Sequence, residues 1–343
     1  MKQRSIIMDP FIQTNETDDF SSKSIFKTKE VQQMIYENQN PIDCTNRHLL
    51  IISEHDCGIG SQIHVHGLLL GYALEYNWTA VWSKNVNYAW PNSVFCNDTV
   101  GFDCFFERIS KCEESDAKNA SYLHKIKPER LFIPHQVKTV LNRSSLAPEN
   151  WFFYWRIMST LYMVRFNNKT HEYMNNIRNQ MLRNPRDEYD FFLHVRHGDK
   201  AVEMKLIDTK NYLKPILMMQ KLLQRNLSIL VSSEDPSAIN YFVENEHLFE
   251  SVSYFDYPRS NEGYMQNRGK YFDVAMKSFA NIRESQKAKM IIGTFGSNWN
   301  RLVFELHQTH LIDTPYPYFE VGCQACITQY QCRKKNQTYD LDW

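Results

Sequence analysis

From Tyr189 onward, short apolar runs alternate with longer stretches whose apolar residues recur at helical spacing. YDFFLHV (189–195), SILVSS (228–233), SVSYFDY (251–257) and KMIIGTF (289–295) have strand length and are rich in β-branched or aromatic residues. Between and after them, TKNYLKPILMMQKLLQR (209–225), PSAINYFVENE (236–246), KYFDVAMKSFANIRES (270–285) and NWNRLVFELHQ (298–308) carry the helical period. The second of these opens on a proline, which suits the first turn of a helix. Strands alternating with helices over this many units predict an α/β lobe with a parallel, Rossmann-like sheet.

The first half is less regular. Residues 1–43 are mostly polar, with two helical turns around Val31 to Tyr36, and predict a stem or linker. HLLIISE (48–54) predicts a buried strand, CGIGSQ (57–62) a glycine turn and IHVHGLLLGYALEYN (63–77) a helix, together the start of an α/β unit. Trp90 to Cys112 holds three cysteines and no sustained period, as in a loop excursion tied by disulfides. WFFYWRIMSTLYMVRF (151–166) predicts an aromatic helix, and a more polar helix follows through Met181, the pair closing the first domain. Past Pro315 the tail reads as irregular. The expected organisation is a stem at 1–43, an N-terminal α/β lobe at 44–187, a Rossmann-like lobe at 188–318 and a cysteine-containing tail at 319–343.

At 343 residues and 43% hydrophobic content, the chain has material for two domains of ordinary size. Its formal net charge is zero, without the broad basic field of nucleic-acid or anionic-membrane binders, so any anion site must be local. Eight cysteines permit disulfides without fixing their pairing. N-glycosylation sequons begin at Asn15, Asn77, Asn97, Asn119, Asn142, Asn168, Asn226 and Asn336, where about three would arise by chance. Cysteines and sequons together point to the secretory pathway. The apolar run in MKQRSIIMDPFIQ is too short for a signal or an anchor, so membrane association requires an N-terminal segment that this sequence does not show, such as a missing first exon.

In open parallel sheets, ligands sit beyond the carboxyl ends of the strands. The predicted strands end in His194, Arg196, Asp199 and Lys200; in Ser232, Ser233, Glu234 and Asp235; and in Thr294, Phe295, Gly296 and Ser297. Arg196 follows His194 by two residues, so both share a strand face. Its guanidinium offers a fork for phosphate or carboxylate, or an Arg–Asp pair that holds the loop. In TFGSNW, Gly296 lets backbone approach a ligand, and amides at the start of the next helix can accept a phosphate. Glu234 and Asp235 are either acceptor or loop contacts, or a carboxylate pair complementing the helix ahead of Pro236. His64 and His66 diverge on a helix and make no metal pair. Cys323, Cys326 and Cys332 read as disulfide partners before zinc ligands.

HVRHGDK (194–200) resembles the HxRRxDK block of the alpha-1,6-fucosyltransferase family, which transfers fucose from GDP-fucose. NPIDC (40–44), CGIGSQIH (57–64), the WFFYW helix leading to Arg165, SSEDPS (232–237) and TFGSNWNRLVFE (294–305) resemble further blocks in the same order, over about residues 40 to 310. The resemblance implies a two-lobed GT-B fold with the donor on the C-terminal lobe. It also implies inverting transfer to a glycan or glycoprotein, most simply alpha-1,6 to the core GlcNAc of N-glycans, in the Golgi lumen. By position, Arg196 would bind the donor β-phosphate and His194 and Asp199 would shape the guanosine-diphosphate site, with Gly58, Asn281, Gly296, Ser297 and Asn298 also on the donor. Lys200 and Glu203 would serve the acceptor hydroxyl, with Glu203 or Asp199 as base. No metal or other cofactor is expected, since the only DxD-type triplet is Asp340 to Asp342 in the tail.

Four departures stand out. Glu203 lies three residues after Lys200 where the family has four; His197 replaces the second arginine; Asn281 stands for a guanine-contacting aspartate; and Gly293 stands for a cysteine. They leave open an inactive relative that binds nucleotide sugar or glycan, another linkage, or a protein O-fucosyltransferase. An unrelated Rossmann-type nucleotide enzyme would be expected to show GxGxxG or GxxxxGK, and neither is present. Oligomeric state is not legible in the sequence.

Overall fold

A computed structural model describes residues 27–308 and 318–322 and the backbone of 333–334 and 337–338, apart from residues 56, 85, 87, 98, 130, 145, 147, 199–205 and 260–270. The chain divides between His171 and Glu172 into two compact units.

The first unit begins within the stretch that reads as a stem. Helix α1 (Thr28–Gln39) buries Val31 and Ile35, and its last side chain acts as a piece of sheet. Gln39 donates to the Ala80 carbonyl at 3.1 Å and accepts from the Ala80 amide at 3.0 Å. This pairing makes α1 part of the domain, which corrects the stem reading for these residues. Strand β1 (Leu49–Ile52) is the central strand of a parallel sheet, helix α2 (Ile59–Glu75) follows, and β2 (Thr79–Trp82) pairs with β1. After the short helix α3 (Ser93–Cys96), β3 (Leu123–His124) joins the other edge, giving the order β2-β1-β3. Helices α4 (His135–Leu141) and α5 (Trp151–Met163) complete the unit. Helix α2 is buried nearly all round, with Gly71 set against the indole of Trp155. The Trp90–Cys112 excursion is tied as expected, by Cys44–Cys112 and Cys96–Cys104, while Cys57 remains a thiol.

Helix α6 (Asn168–Met181) is expected from sequence to close the first domain, yet from Glu172 it belongs to the second unit. Two polar contacts explain why: Arg178 pairs with Glu284 at 3.0 Å, and Arg283 donates to Asn175 at 2.8 Å. The second unit then runs β4 (Leu182–Arg183), β5 (Tyr189–Val195), α7 (Lys210–Leu223), β6 (Ser228–Ser233), α8 (Pro236–Glu244), β7 (Ser251–Phe255), α9 (Tyr271–Ser285), β8 (Ala288–Gly293), α10 (Asn298–His307) and β9 (Tyr318–Glu320). Its sheet has the order β4-β7-β6-β5-β8-β9 and is parallel except where β4 meets β7. Both units are therefore α/β with parallel sheets, the class the alternation predicts. Edge strands β4 and β9 escape sequence reading because two or three residues carry no period. All seven residues of β5 are buried, which is why its sequence runs apolar without alternating.

One carboxylate in the first unit is held against its usual ionisation. Asp103 Oδ1 accepts from the Trp82 indole at 2.7 Å and from the Ile109 amide at 2.9 Å. Burial pushes its pKa up to about 7, against the lowering effect of those bonds and of Arg108 and Arg165. Since the folded state holds this proton more tightly than the unfolded chain, stability falls as pH rises from about 4 through about 7. Asp103→Asn keeps the Oδ1 acceptor and removes the charge. It should remove that slope and raise stability at pH 8 by about 1–3 kcal/mol, read as the difference between melting curves at pH 5 and pH 8.

Candidate functional site

The second unit's chain passes from β5 to β6 and β7 on one side, then returns to the other side with β8. β5 and β8 are neighbours from which the strand order runs in opposite directions, the reversal point beyond which open α/β sheets place ligands. His194 is the last residue but one of β5. It is buried, and neither ring nitrogen has a hydrogen-bond partner among the described residues. Burial lowers its pKa to about 4, with the Glu234 carboxylate pulling the other way and Arg196 and His197 adding to the fall. A neutral imidazole with an unused donor and acceptor costs about 1–3 kcal/mol for each group left unsatisfied, so its presence at this strand end points to a polar ligand.

Arg196 leaves the end of β5 partly buried. Its Nη1 donates to the His197 carbonyl at 2.9 Å and to Oε1 of Glu234 at the tip of β6. Gly198 makes this meeting possible: it has φ +55°, and a Cβ there would lie 3.0 Å from Cγ and Oε1 of Glu234. The neighbouring pair works in parallel. His197 Nδ1 lies 2.7 Å from Oδ2 of Asp235, and its Nε2 lies 2.9 Å from the Ile207 carbonyl. Asp235 Oδ1 caps α8 through the Ser237 amide and hydroxyl, at 2.8 and 2.7 Å. Burial works to raise the Asp235 pKa, but the bonds from His197 and Ser237 outweigh it and hold the carboxyl below its ordinary range. Of the two carboxylates before Pro236, Asp235 is the one that caps the helix, and Glu234 instead engages the arginine.

At the end of the neighbouring strand, the turn after β8 is fixed by hydrogen bonds. The Phe295 amide donates to Glu320 at 2.7 Å, the Ser297 amide to the Thr294 carbonyl at 3.1 Å, and the Gly296 amide to the Thr294 hydroxyl at 3.2 Å. Ser297 is buried, and its Oγ accepts from the Asn300 amide at 3.4 Å. Arg301 donates to the Phe295 carbonyl at 3.0 Å and to Asn298 Oδ1. Gly296 is not in the left-handed region; among the described glycines only Gly101 and Gly198 are. Three amides of this turn are thus committed internally.

Other sequence-derived candidates are dispersed. Asn281 sits buried in α9, donating to the Lys277 carbonyl at 2.9 Å and bonding the Tyr257 phenol. Gly58 lies in the first unit at the start of α2, with ordinary φ −63°, and a Cβ there would meet nothing within 4 Å. Asp199, Lys200 and Glu203 lie outside the described residues, as do Cys323, Cys326, Cys332 and Asp340 to Asp342. Sequence reading misses three residues. Arg259 donates to the Ser233 carbonyl at 2.9 Å and the Tyr257 carbonyl at 3.1 Å, and stacks on the Tyr257 ring at 4.1 Å. Arg301 and Glu320 brace the β8 turn. Only Arg259 has a sequence signal, a cation just past a strand end.

No protein-family model matches the chain, and no curated protein does. Among solved structures it is similar to the NodZ alpha-1,6-fucosyltransferase soaked with GDP-fucose, at 13% identity and TM-score 0.44, over 76% of this chain and 93% of that one. It is similar to an Arabidopsis thaliana FUT1 mutant in complex with GDP, at 11% identity and TM-score 0.47, over 82% and 76%. A third likeness is to POFUT1 in complex with GDP, at 11% identity and TM-score 0.32, over 86% and 78%.

Gly293 is explained by packing. A Cβ there would lie 2.7 Å from Asn300 Nδ2, 2.9 Å from its Cγ and 3.0 Å from the Tyr318 hydroxyl. The Asn300 amide is already bonded to the Thr294 carbonyl at 3.1 Å. Gly293→Cys should therefore lower stability by about 1–3 kcal/mol through overpacking, seen as a lower denaturant midpoint.

Proposed function

We propose that this chain is an inverting fucosyltransferase that takes GDP-fucose as donor and a glycan as acceptor, without a metal. The observation that carries the reading is the buried His194, whose two ring nitrogens are unsatisfied beside Arg196 at the reversal point of the sheet. A nucleoside diphosphate supplies what this place lacks: acceptors for the imidazole N–H, donors on ribose or base for its bare nitrogen, and anionic oxygens for the guanidinium.

The chemistry follows from the charges. As the bond between the fucose anomeric carbon and the diphosphate breaks, negative charge grows on the leaving group, and a fixed cation aimed at it lowers the barrier. Arg196 is that cation in this reading, and the diphosphate takes or shares the place that Glu234 holds beside it. A base must remove the acceptor hydroxyl proton while that oxygen attacks the anomeric carbon. Sequence resemblance assigns this to Glu203 or Asp199, with Lys200 beside them. It also favours an alpha-1,6 linkage to the core GlcNAc of N-glycans, in the Golgi lumen. Two disulfides and the sequons accord with an oxidising compartment. A second reading, a relative that binds nucleotide sugar without turnover, is motivated by the departures at His197, Asn281 and Glu203.

The test is GDP release by the purified chain given GDP-fucose and an N-glycan acceptor, with EDTA present. Turnover should persist under chelation and fall by about 10²–10³ in Arg196→Ala. Calorimetric binding of GDP-fucose without release would support the second reading. Absence of GDP binding by the folded chain would overturn the donor assignment.

A further inference from the structure

Helix α7 packs on the sheet through Tyr212 and Ile216, which are buried, and through Leu213 and Met219 beside them. Its other side is not the polar face such a helix usually turns outward. Lys214, Leu217, Met218, Lys221 and Leu222 recur at the spacing of a single helical stripe, and all of them are exposed. Leu222 is 72% exposed, Met218 58%, Leu223 46% and Leu217 41%. Every residue from Lys221 to Asn226 is exposed, so the last turn of the helix projects as a ridge. Along its length α7 carries Lys210, Lys214 and Lys221 and no acidic residue. None of these lysines has an ion pair among the described residues; Lys214 Nζ donates to Asn211 at 2.9 Å. Arg225, just past the helix, is taken up by Asp190 and Glu250.

We propose that α7 is a membrane-contact helix that lays this ridge on the surface of an anionic phospholipid bilayer, with Met218 and Leu222 entering the headgroup region and the three lysines on lipid phosphates. Charge and shape choose the occupant. Exposed apolar side chains interleaved with cations match a surface that offers hydrocarbon just beneath negative charge, as a bilayer interface does. A second copy laid on the same ridge would set lysines against lysines. A docked peptide helix wants a groove, and a projecting helix end supplies none. Because the net charge of the chain is zero, the attraction has to come from a local patch, and α7 supplies one. At 14 residues the helix is too short to span a bilayer and lies along it instead. Sequence reading ties membrane association to an N-terminal segment; α7 gives a second route, independent of the donor reading of Arg196.

The experiment follows flotation of the full chain with vesicles of phosphatidylcholine alone and of phosphatidylcholine mixed with phosphatidylserine. Wild type should bind the mixed vesicles at least about tenfold more tightly, and about 1 M salt, which shortens the screening length to about 3 Å, should abolish the difference. Lys214→Gln combined with Lys221→Gln should weaken binding to the mixed vesicles by about 10–30-fold, at about 5-fold for each lysine. Met218→Gln combined with Leu222→Gln should weaken it by about tenfold through lost apolar contact. All of these side chains are exposed, so both variants should melt as the wild type does. Equal binding to the two kinds of vesicle, or either variant binding the mixed vesicles like the wild type, overturns the proposal. A dimer that Met218→Gln with Leu222→Gln dissolves, without vesicle binding, assigns the ridge to a second copy. Association with polyglutamate in place of vesicles assigns it to an acidic protein segment, and either result overturns the lipid contact.

Discussion

Strand β5 is sealed on both faces, and the rest of the second unit is arranged around that fact. A strand in this position can carry polar groups only where it enters and leaves the sheet. At its entry, Asp190 is buried and met by Arg225 at 2.6 and 2.9 Å and by the Ser228 amide at 2.9 Å. Those bonds hold its carboxyl below the ordinary range despite burial, which works to raise it. They also pin β5 against β6, since a one-residue slip would leave a buried carboxylate without its partners. At its exit, among the described residues, neither ring nitrogen of His194 has a hydrogen-bond partner. The polar groups of the same strand are thus satisfied at one end and not at the other.

Register then decides which charges meet. Because Val195 lies opposite Ser233, the next residues of each chain, Arg196 and His197 against Glu234 and Asp235, fall side by side. Arg196 is neutralised by Glu234 in a half-buried edge where an isolated charge would be expensive, and the imidazole of His197 lies against Asp235 beside it.

The alternation of the second half is legible because buried parallel strands and amphipathic helices leave opposite periods in the sequence. Strands β4 and β9 are not legible, being too short to have a period, nor is Glu320, whose role depends on an edge strand. The unit boundary is hidden in α6, a polar helix whose allegiance is decided by Arg178 meeting Glu284, 106 residues away. Helix α1 reads as a stem because its contribution is carried by Gln39, a polar residue that hydrogen-bonds like a strand. At the site, strand-tip reasoning finds His194, Arg196, Glu234 and Asp235. It cannot assign partners 38 residues apart, and so His197 reads as a departure with no sign of its contact to Asp235.

Among the described residues, both disulfides lie in the first unit. Cys44–Cys112 closes a loop of sequence separation 68, for which chain entropy alone gives a stabilisation of about 4 kcal/mol. The described part of the second unit rests on burial and hydrogen bonding. The two halves therefore answer to different surroundings. In a reducing milieu the first unit would lose that contribution, so its stability is tied to the redox state of its surroundings.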